Sequence, residues 1–247
     1  MVRTQVRNLG WWSVCAVAGA LAVTTGADAG IIGHRWAEVD NSTLSNGAAS
    51  GLNDGSLDGK IYRTFDLFLQ VSQGLLTVDS GFTQSIGPNP GIEVTNTSFF
   101  QFLPGGFPND KTPLGSIINV FPLLEFDSYV AMGTTSGSNI SFAGPLTFDN
   151  TGLVGTWFVV TAAPPSENGE VRVGRFTVES SAGFGVDESA TRSLGGTLVV
   201  GTADGNSTLI NISNAFGTTS GTIPAPGSVG TLVGFAGLTL ARRRRRG

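Results

Sequence analysis

From Ile61 onward the apolar residues come in short runs, each interrupted by Gly, Asn, Asp, Ser or Pro before a helix-length repeat develops. That punctuation is the strongest constraint on the fold, because a buried helix needs an apolar stripe sustained over several turns. The runs that remain are rich in Val, Ile, Phe and Thr, the residues that suit a pleated, half-buried surface. In Ile61–Val71 the alternation puts Phe65, Leu67, Leu69 and Val71 on one face. The same reading predicts strands over Leu75–Phe82, Gly91–Leu103, Leu123–Met132, Leu153–Thr161, Val171–Glu179, Ser193–Val200 and Ser207–Ile212. A further strand is expected around Trp36. About eight strands with frequent turns predict an all-β fold, an antiparallel β-sandwich of jelly-roll or Ig-like type. Residues 61–214 are expected to form this domain, with a strand and a polar loop before it (residues 30–60) and a spacer after it (residues 215–223).

Charge narrows the range of functions. Only 13% of residues are charged, about half the usual share. Five of the 14 basic residues stand together at Arg242–Arg246, and Arg3 and Arg7 lie near the start. Residues 30–223 therefore hold seven basic and 17 acidic side chains, a formal charge of −10. An excess of that sign repels nucleic acid and anionic lipid, and no nucleic-acid partner is expected. The lone cysteine, Cys15, lies outside this body, which excludes disulfides and thiolate chemistry from it. With His34 the only histidine, a zinc site built from several His or Cys ligands is excluded by count.

The two ends carry the most specific signals. Arg3 and Arg7 precede an apolar run from Leu9 to Val23. Positive charge before a short apolar stretch is the layout of a secretory signal peptide. Ala27 and Ala29 supply the small residues at −3 and −1, so cleavage is expected after Ala29, with Gly30 as the new N-terminus. The expected partners of residues 1–29 are the Sec translocon and signal peptidase. At the other end stand Pro224, Ala225 and Pro226, then an apolar run from Ser228 to Ala241, then Arg242, Arg243, Arg244, Arg245 and Arg246. The prolines hold the chain extended where a protease would bind it. The apolar run enters a bilayer as a short membrane helix, and the arginines remain on the cytoplasmic side.

This three-part tail, residues 224–247, resembles the PEP-CTERM sorting signal of Gram-negative bacteria. Pro224 and Pro226 match that family's prolines, and Ala225 stands where the family has Glu. The resemblance implies export, transit through the inner membrane, recognition by an exosortase-type membrane protease, and delivery to the cell surface or beyond. It also implies exopolysaccharide as a candidate partner. It covers the tail alone and leaves the body unassigned.

Within the body the candidates for chemistry are few. Glu125 and Asp127 are two apart, so on a strand they would share a face, as a general acid and base or simply as a solvated edge. The run Asp54-Gly55-Ser56-Leu57-Asp58-Gly59 resembles half of a calcium loop, but position twelve falls on Phe65 rather than Glu. Asp204-Gly205-Asn206 is a second turn with oxygen donors. Both read more readily as plain turns. His34 is expected on a mobile terminus, and Asp187-Glu188 in a loop. For sugar stacking the candidates are Trp157, Tyr62 and Tyr129, with Trp157 also fitting a core position. The expectation is a non-catalytic cell-surface or extracellular-matrix protein with no cofactor and no metal. A carbohydrate-binding surface module and a secreted carboxylate-dependent glycoside hydrolase are the alternatives.

Overall fold

The computed structural model describes residues 30–217, apart from 42–51, 53, 83–86, 103–110, 114, 119 and 135. The sorting residues Pro224, Ala225, Pro226 and Arg242–Arg246, together with Ala27 and Ala29, lie outside the described residues. Among the described residues no helix is long and apolar enough to cross a membrane.

The described chain is mostly β, in two antiparallel sheets. Its strands are β1 (Ile31–Val39), β2 (Ile61–Val71), β3 (Leu75–Ser80), β4 (Ile92–Thr95), β5 (Tyr129–Val130), β6 (Ser141–Phe142), β7 (Thr147–Phe148), β8 (Gly152–Ala163), β9 (Glu170–Ser180), β10 (Ser193–Thr202) and β11 (Ser207–Ile212). The first sheet has the order β1-β2-β9-β5, and the second β11-β10-β3-β8-β4, with β6 and β7 also paired to β8. Register shows that the second sheet is simpler than its strand count. Both β3 and β4 lie between β10 and β8, β3 against Val199–Thr202 and β4 against Ser193–Gly196. They are one strand position interrupted by residues 81–91. Likewise β6 and β7 share the far flank of β8.

The alternation in β2 works as the pattern requires, since Phe65, Leu67, Leu69 and Val71 are all buried. They meet Trp36, Trp157, Phe176, Leu198 and Phe216 in one core that draws on both sheets. Trp36 meets Phe176 edge-on at 5.8 Å and Phe65 meets Phe216 at 5.4 Å, the offset geometry aromatic rings favour. The opposite face of β2 is also covered. Tyr62 packs there with Leu52 and Phe126 in a second, smaller cluster.

Several expectations are corrected. Leu123–Met132 is not one strand: Pro122–Phe126 is a 3-10 helix, and only Tyr129–Val130 pairs. A proline near the start of that helix presets the backbone for a tight turn, and burial of Leu124 and Phe126 holds it. Gly91–Leu103 shortens to Ile92–Thr95 because Asn96 turns into the left-handed region at φ 54°. Segment 30–41 is no outlying piece, since β1 pairs with β2 along nearly its whole length and Trp36 is core. Ala215–Gly217, expected to begin a spacer, forms a short 3-10 turn with Ala215 and Phe216 buried.

The path fixes where the two ends of the described chain leave. The Gly30 carbonyl accepts from the Ser72 backbone N–H, at the end of the body where β2 finishes. Glu188 N–H donates to the Phe216 carbonyl, and Glu188 also bonds Ser180, which pairs with Ile61 where β2 starts. Gly30 and Gly217 thus depart from the opposite poles of β2, an eleven-residue strand ~35 Å long.

Candidate functional site

The ends of five strands, β2, β4, β8, β9 and β10, meet at the pole where β2 begins. Asn96, in its left-handed conformation, turns the chain out of β4 and lays Thr97 and Ser98 along the end of β9. Thr97 Oγ1 donates to the Glu179 carbonyl at 2.5 Å, and the Glu179 N–H donates to the Ser98 carbonyl at 2.9 Å. Lys60, just ahead of β2, places its Nζ 2.7 Å from Glu179 Oε2. The carboxylate raises the Lys60 pKa above the ordinary lysine value, so the ammonium stays charged. Arg192, just ahead of β10, donates through Nη1 to the Asn96 carbonyl and, at 3.3 Å, to the Glu179 carbonyl. Together with Asn150 these residues line an open cleft of about 420 Å³.

The cleft is polar throughout. Lys60 and Arg192 offer charged donors, Glu179 a charged acceptor, and Asn96 and Asn150 amides that can both donate and accept. Such a set suits a ligand bearing hydroxyl groups or a single acidic group, held by hydrogen bonds. Among the described residues no aromatic ring lines it.

Beneath the cleft lies an ionic cluster that spacing alone did not single out. Arg63 shares the inward face of β2 with Phe65, and its guanidinium stacks over Phe65 and Phe216 at 5.1 and 5.3 Å. It donates from Nε to Glu38 Oε1 at 2.5 Å and from Nη2 to Glu38 Oε2 at 2.8 Å. Nη1 reaches the Val186 carbonyl at 2.6 Å and Glu188 Oε2 at 3.4 Å. Burial alone would raise the Glu188 carboxyl, but hydrogen bonds from Ser180 and Ser181 and the charge of Arg192 outweigh it and hold it below the usual glutamate value. The sequence did carry a sign of this cluster: Arg63 falls on the same alternation as Phe65 and Leu67, the inward parity of β2.

A second cluster lies on the outer face of the first sheet. Arg175 donates from Nε and Nη2 to the two Asp66 oxygens at 2.7 and 2.9 Å, with both side chains buried. Arg172 stands 3.6 Å from Asp66. Arg35 clasps Glu170 through two bonds, at 2.9 and 2.7 Å, and covers the Phe68 ring at 4.5 Å. That clasp holds the Glu170 carboxyl below its usual pKa.

The residues singled out from sequence are placed as follows. His34 is not on a mobile terminus but sits within β1, where its Nε2 accepts the Ser213 backbone N–H at 2.9 Å and meets Ser213 Oγ at 2.9 Å. Glu125 and Asp127 do not share a solvated strand face. Glu125 lies in the 3-10 helix, and Asp127 is fully buried, its Oδ1 accepting the Phe102 and Ser128 N–H groups. Asp54 and Asp58 are exposed and accept the Ser56 and Lys60 backbone N–H groups, and Asp204 accepts from Thr202 and Asn206. Among the described residues no cluster of three or more His, Cys, Asp or Glu could hold a metal. Trp157, Tyr62 and Tyr129 are all buried, so none presents a ring face for stacking; Trp157 Nε1 donates to the Ala131 carbonyl at 3.1 Å. Gly30 is buried and tied to the β2–β3 turn.

Comparison with family models, curated proteins and solved structures finds no match to the chain.

Proposed function

We propose that this chain is an exported, non-catalytic cell-surface or matrix protein, delivered through its PEP-CTERM-like tail and built around a jelly-roll or Ig-like β-sandwich. The observation that carries the reading of the body is the use made of its charges. Glu38, Asp66, Glu170 and Glu188 are each fixed by an arginine, three of them bidentately, which suits a scaffold that must hold its shape outside the cell without disulfides. The tail reading rests on Pro224, Pro226, the apolar run from Ser228 to Ala241 and the terminal arginines. Replacing Pro224 and Pro226 with Ala tests it. The variant is expected to insert but escape cutting, so that uncut chain accumulates in the inner membrane on fractionation. A wild-type surface protein still ending in Gly247, with the proline variant localising normally, defeats the sorting reading.

The cleft supports carbohydrate binding as a second reading. Its donors and acceptors match the hydroxyl groups of a neutral polysaccharide better than an apolar ligand. Such a polymer is expected to bind the purified protein in titration calorimetry and to weaken at least tenfold when Lys60 is changed to Ala. Equal binding by the Lys60→Ala protein removes the cleft from consideration.

A further inference from the structure

We propose that the pole from which Gly217 departs faces the lipid bilayer, with the tip Phe184-Gly185-Val186 touching its interface while the tail is inserted. The proposal rests on the reading of residues 228–241 as a membrane segment and adds an orientation and a contact to it. Three observations carry it. The loop after β9 exposes two large apolar side chains, Phe184 at 52% and Val186 at 45%. A Cβ built at Gly183 or at Gly185 meets nothing within 4 Å, so the tip stands clear of the body on both sides of Phe184. The loop is nevertheless held at its base: Arg63 takes the Val186 carbonyl at 2.6 Å, and Gly185 N–H donates to Glu38 Oε2 at 3.1 Å. A projecting apolar tip on an ion-paired base is shaped for shallow insertion into a headgroup layer.

The exit of the chain brings membrane to this tip rather than to another part of the surface. Phe216 is bonded to Glu188, within the same loop segment, and Gly217 lies against Ser189. Ten residues, 218–227, separate Gly217 from the apolar run. Even fully extended they span at most ~36 Å, so this pole is tethered within that distance of the bilayer. Leu57, on the turn before β2, is a third exposed apolar side chain at the same pole. Val160, more exposed still at 88%, lies near the opposite pole, where β8 approaches Ala163 and its partner Leu75. Asp187 beside the tip favours a headgroup layer without net negative charge.

The test uses the chain as it stands after the expected cleavage, from Gly30, purified with its tail and incorporated into phosphatidylcholine vesicles. Residues 30–247 hold no cysteine, and a single NBD fluorophore is attached through Phe184→Cys or, in a second protein, through Val160→Cys. Both positions are exposed, so neither label disturbs the core. The expected result is a blue shift and several-fold brightening of the label at position 184 on vesicle incorporation, with the label at 160 unchanged. A chain that incorporates while the 184 label stays in water, or while the 160 label enters lipid instead, overturns the orientation and leaves the tail reading standing. A chain that does not associate with vesicles overturns both.

Discussion

The two sheets reach the same end by different means. The first, β1-β2-β9-β5, is held together by long ladders and by charge: β2 pairs with β9 from Ile61 to Gln70, with one register shift between Leu67 and Phe68, and Asp66–Arg175, Arg35–Glu170 and Glu38–Arg63 all attach to it. Among the described residues the second sheet carries fewer ion pairs than the first and is held by close backbone approach. At Gly91, φ is 91° and an added Cβ would come within 2.9 Å of the Leu153 carbonyl oxygen. At Gly196, φ is 134° and the Cβ would lie 2.1 Å from the Gly91 oxygen. Those two glycines let β4 resume, between β8 and β10, the strand position that β3 abandons. Where a chain with few charges places its ion pairs, side chains set the register; elsewhere the absence of side chains does.

The largest test of this contrast is Gly196→Ala. A methyl group against a backbone oxygen has no flexible neighbour to yield, and the conformation is itself one that alanine avoids. The expected loss is about 4–5 kcal/mol or more, read as failure to reach a cooperative urea transition. A variant with wild-type stability shows that the β10–β4 contact does not hold the second sheet.

A smaller effect sharpens the other side. Arg175→Met leaves Asp66 buried beside the partly exposed Arg172, and is expected to cost about 3–5 kcal/mol by chemical denaturation. The pair Asp66→Leu with Arg175→Met removes both charges, and is expected to regain most of that loss because desolvation of both ions is avoided. If the double variant is as damaged as the single one, the pair sets register in a way that apolar packing cannot replace.

How much of this was readable beforehand varies by element. Ile61–Val71 and Ser207–Ile212 were bounded correctly because Lys60, Gly205 and Asn206 punctuate them and β-branched and other apolar residues fill them. Leu123–Met132 was misread because its Leu, Phe, Tyr and Val residues suit a strand as well as a turn packed on two clusters, and periodicity over so few residues does not separate them. The break itself was legible in Gly87, Pro88, Asn89 and Pro90, but no local signal shows that the chain resumes the same strand position after it. The cleft could not be seen at all. Lys60, Asn96, Asn150, Glu179 and Arg192 converge only once β2, β4, β8, β9 and β10 are in register.

The smallest expected effect concerns acid. Burial lowers the His34 pKa, and its Nε2 must be unprotonated to accept the Ser213 N–H. A histidine with a lowered folded pKa contributes stability that is complete above the unfolded value, near 6.5, and is lost as pH falls through the folded value. Glu170 and Glu188, also lowered, follow the same sign from about pH 4.5 downward. Tm measured from pH 8 to 5.5 is expected to decline in the native protein and to stay level in His34→Gln. Parallel declines in both proteins remove His34 as the cause.

The opposed exits of Gly30 and Gly217 have a mechanical consequence. The strand β1 runs from the Gly30 pole toward the other, antiparallel to β2 across the register Ile31↔Val71 to Val39↔Thr64. Tension applied between the two exits draws β1 lengthwise along β2. The hydrogen bonds of that ladder are then loaded together in shear, not peeled open one at a time. A body held at one pole and pulled from the other, as in flow, would resist through its whole first ladder, with Trp36 and the Arg35–Glu170 clasp adding friction along the same line.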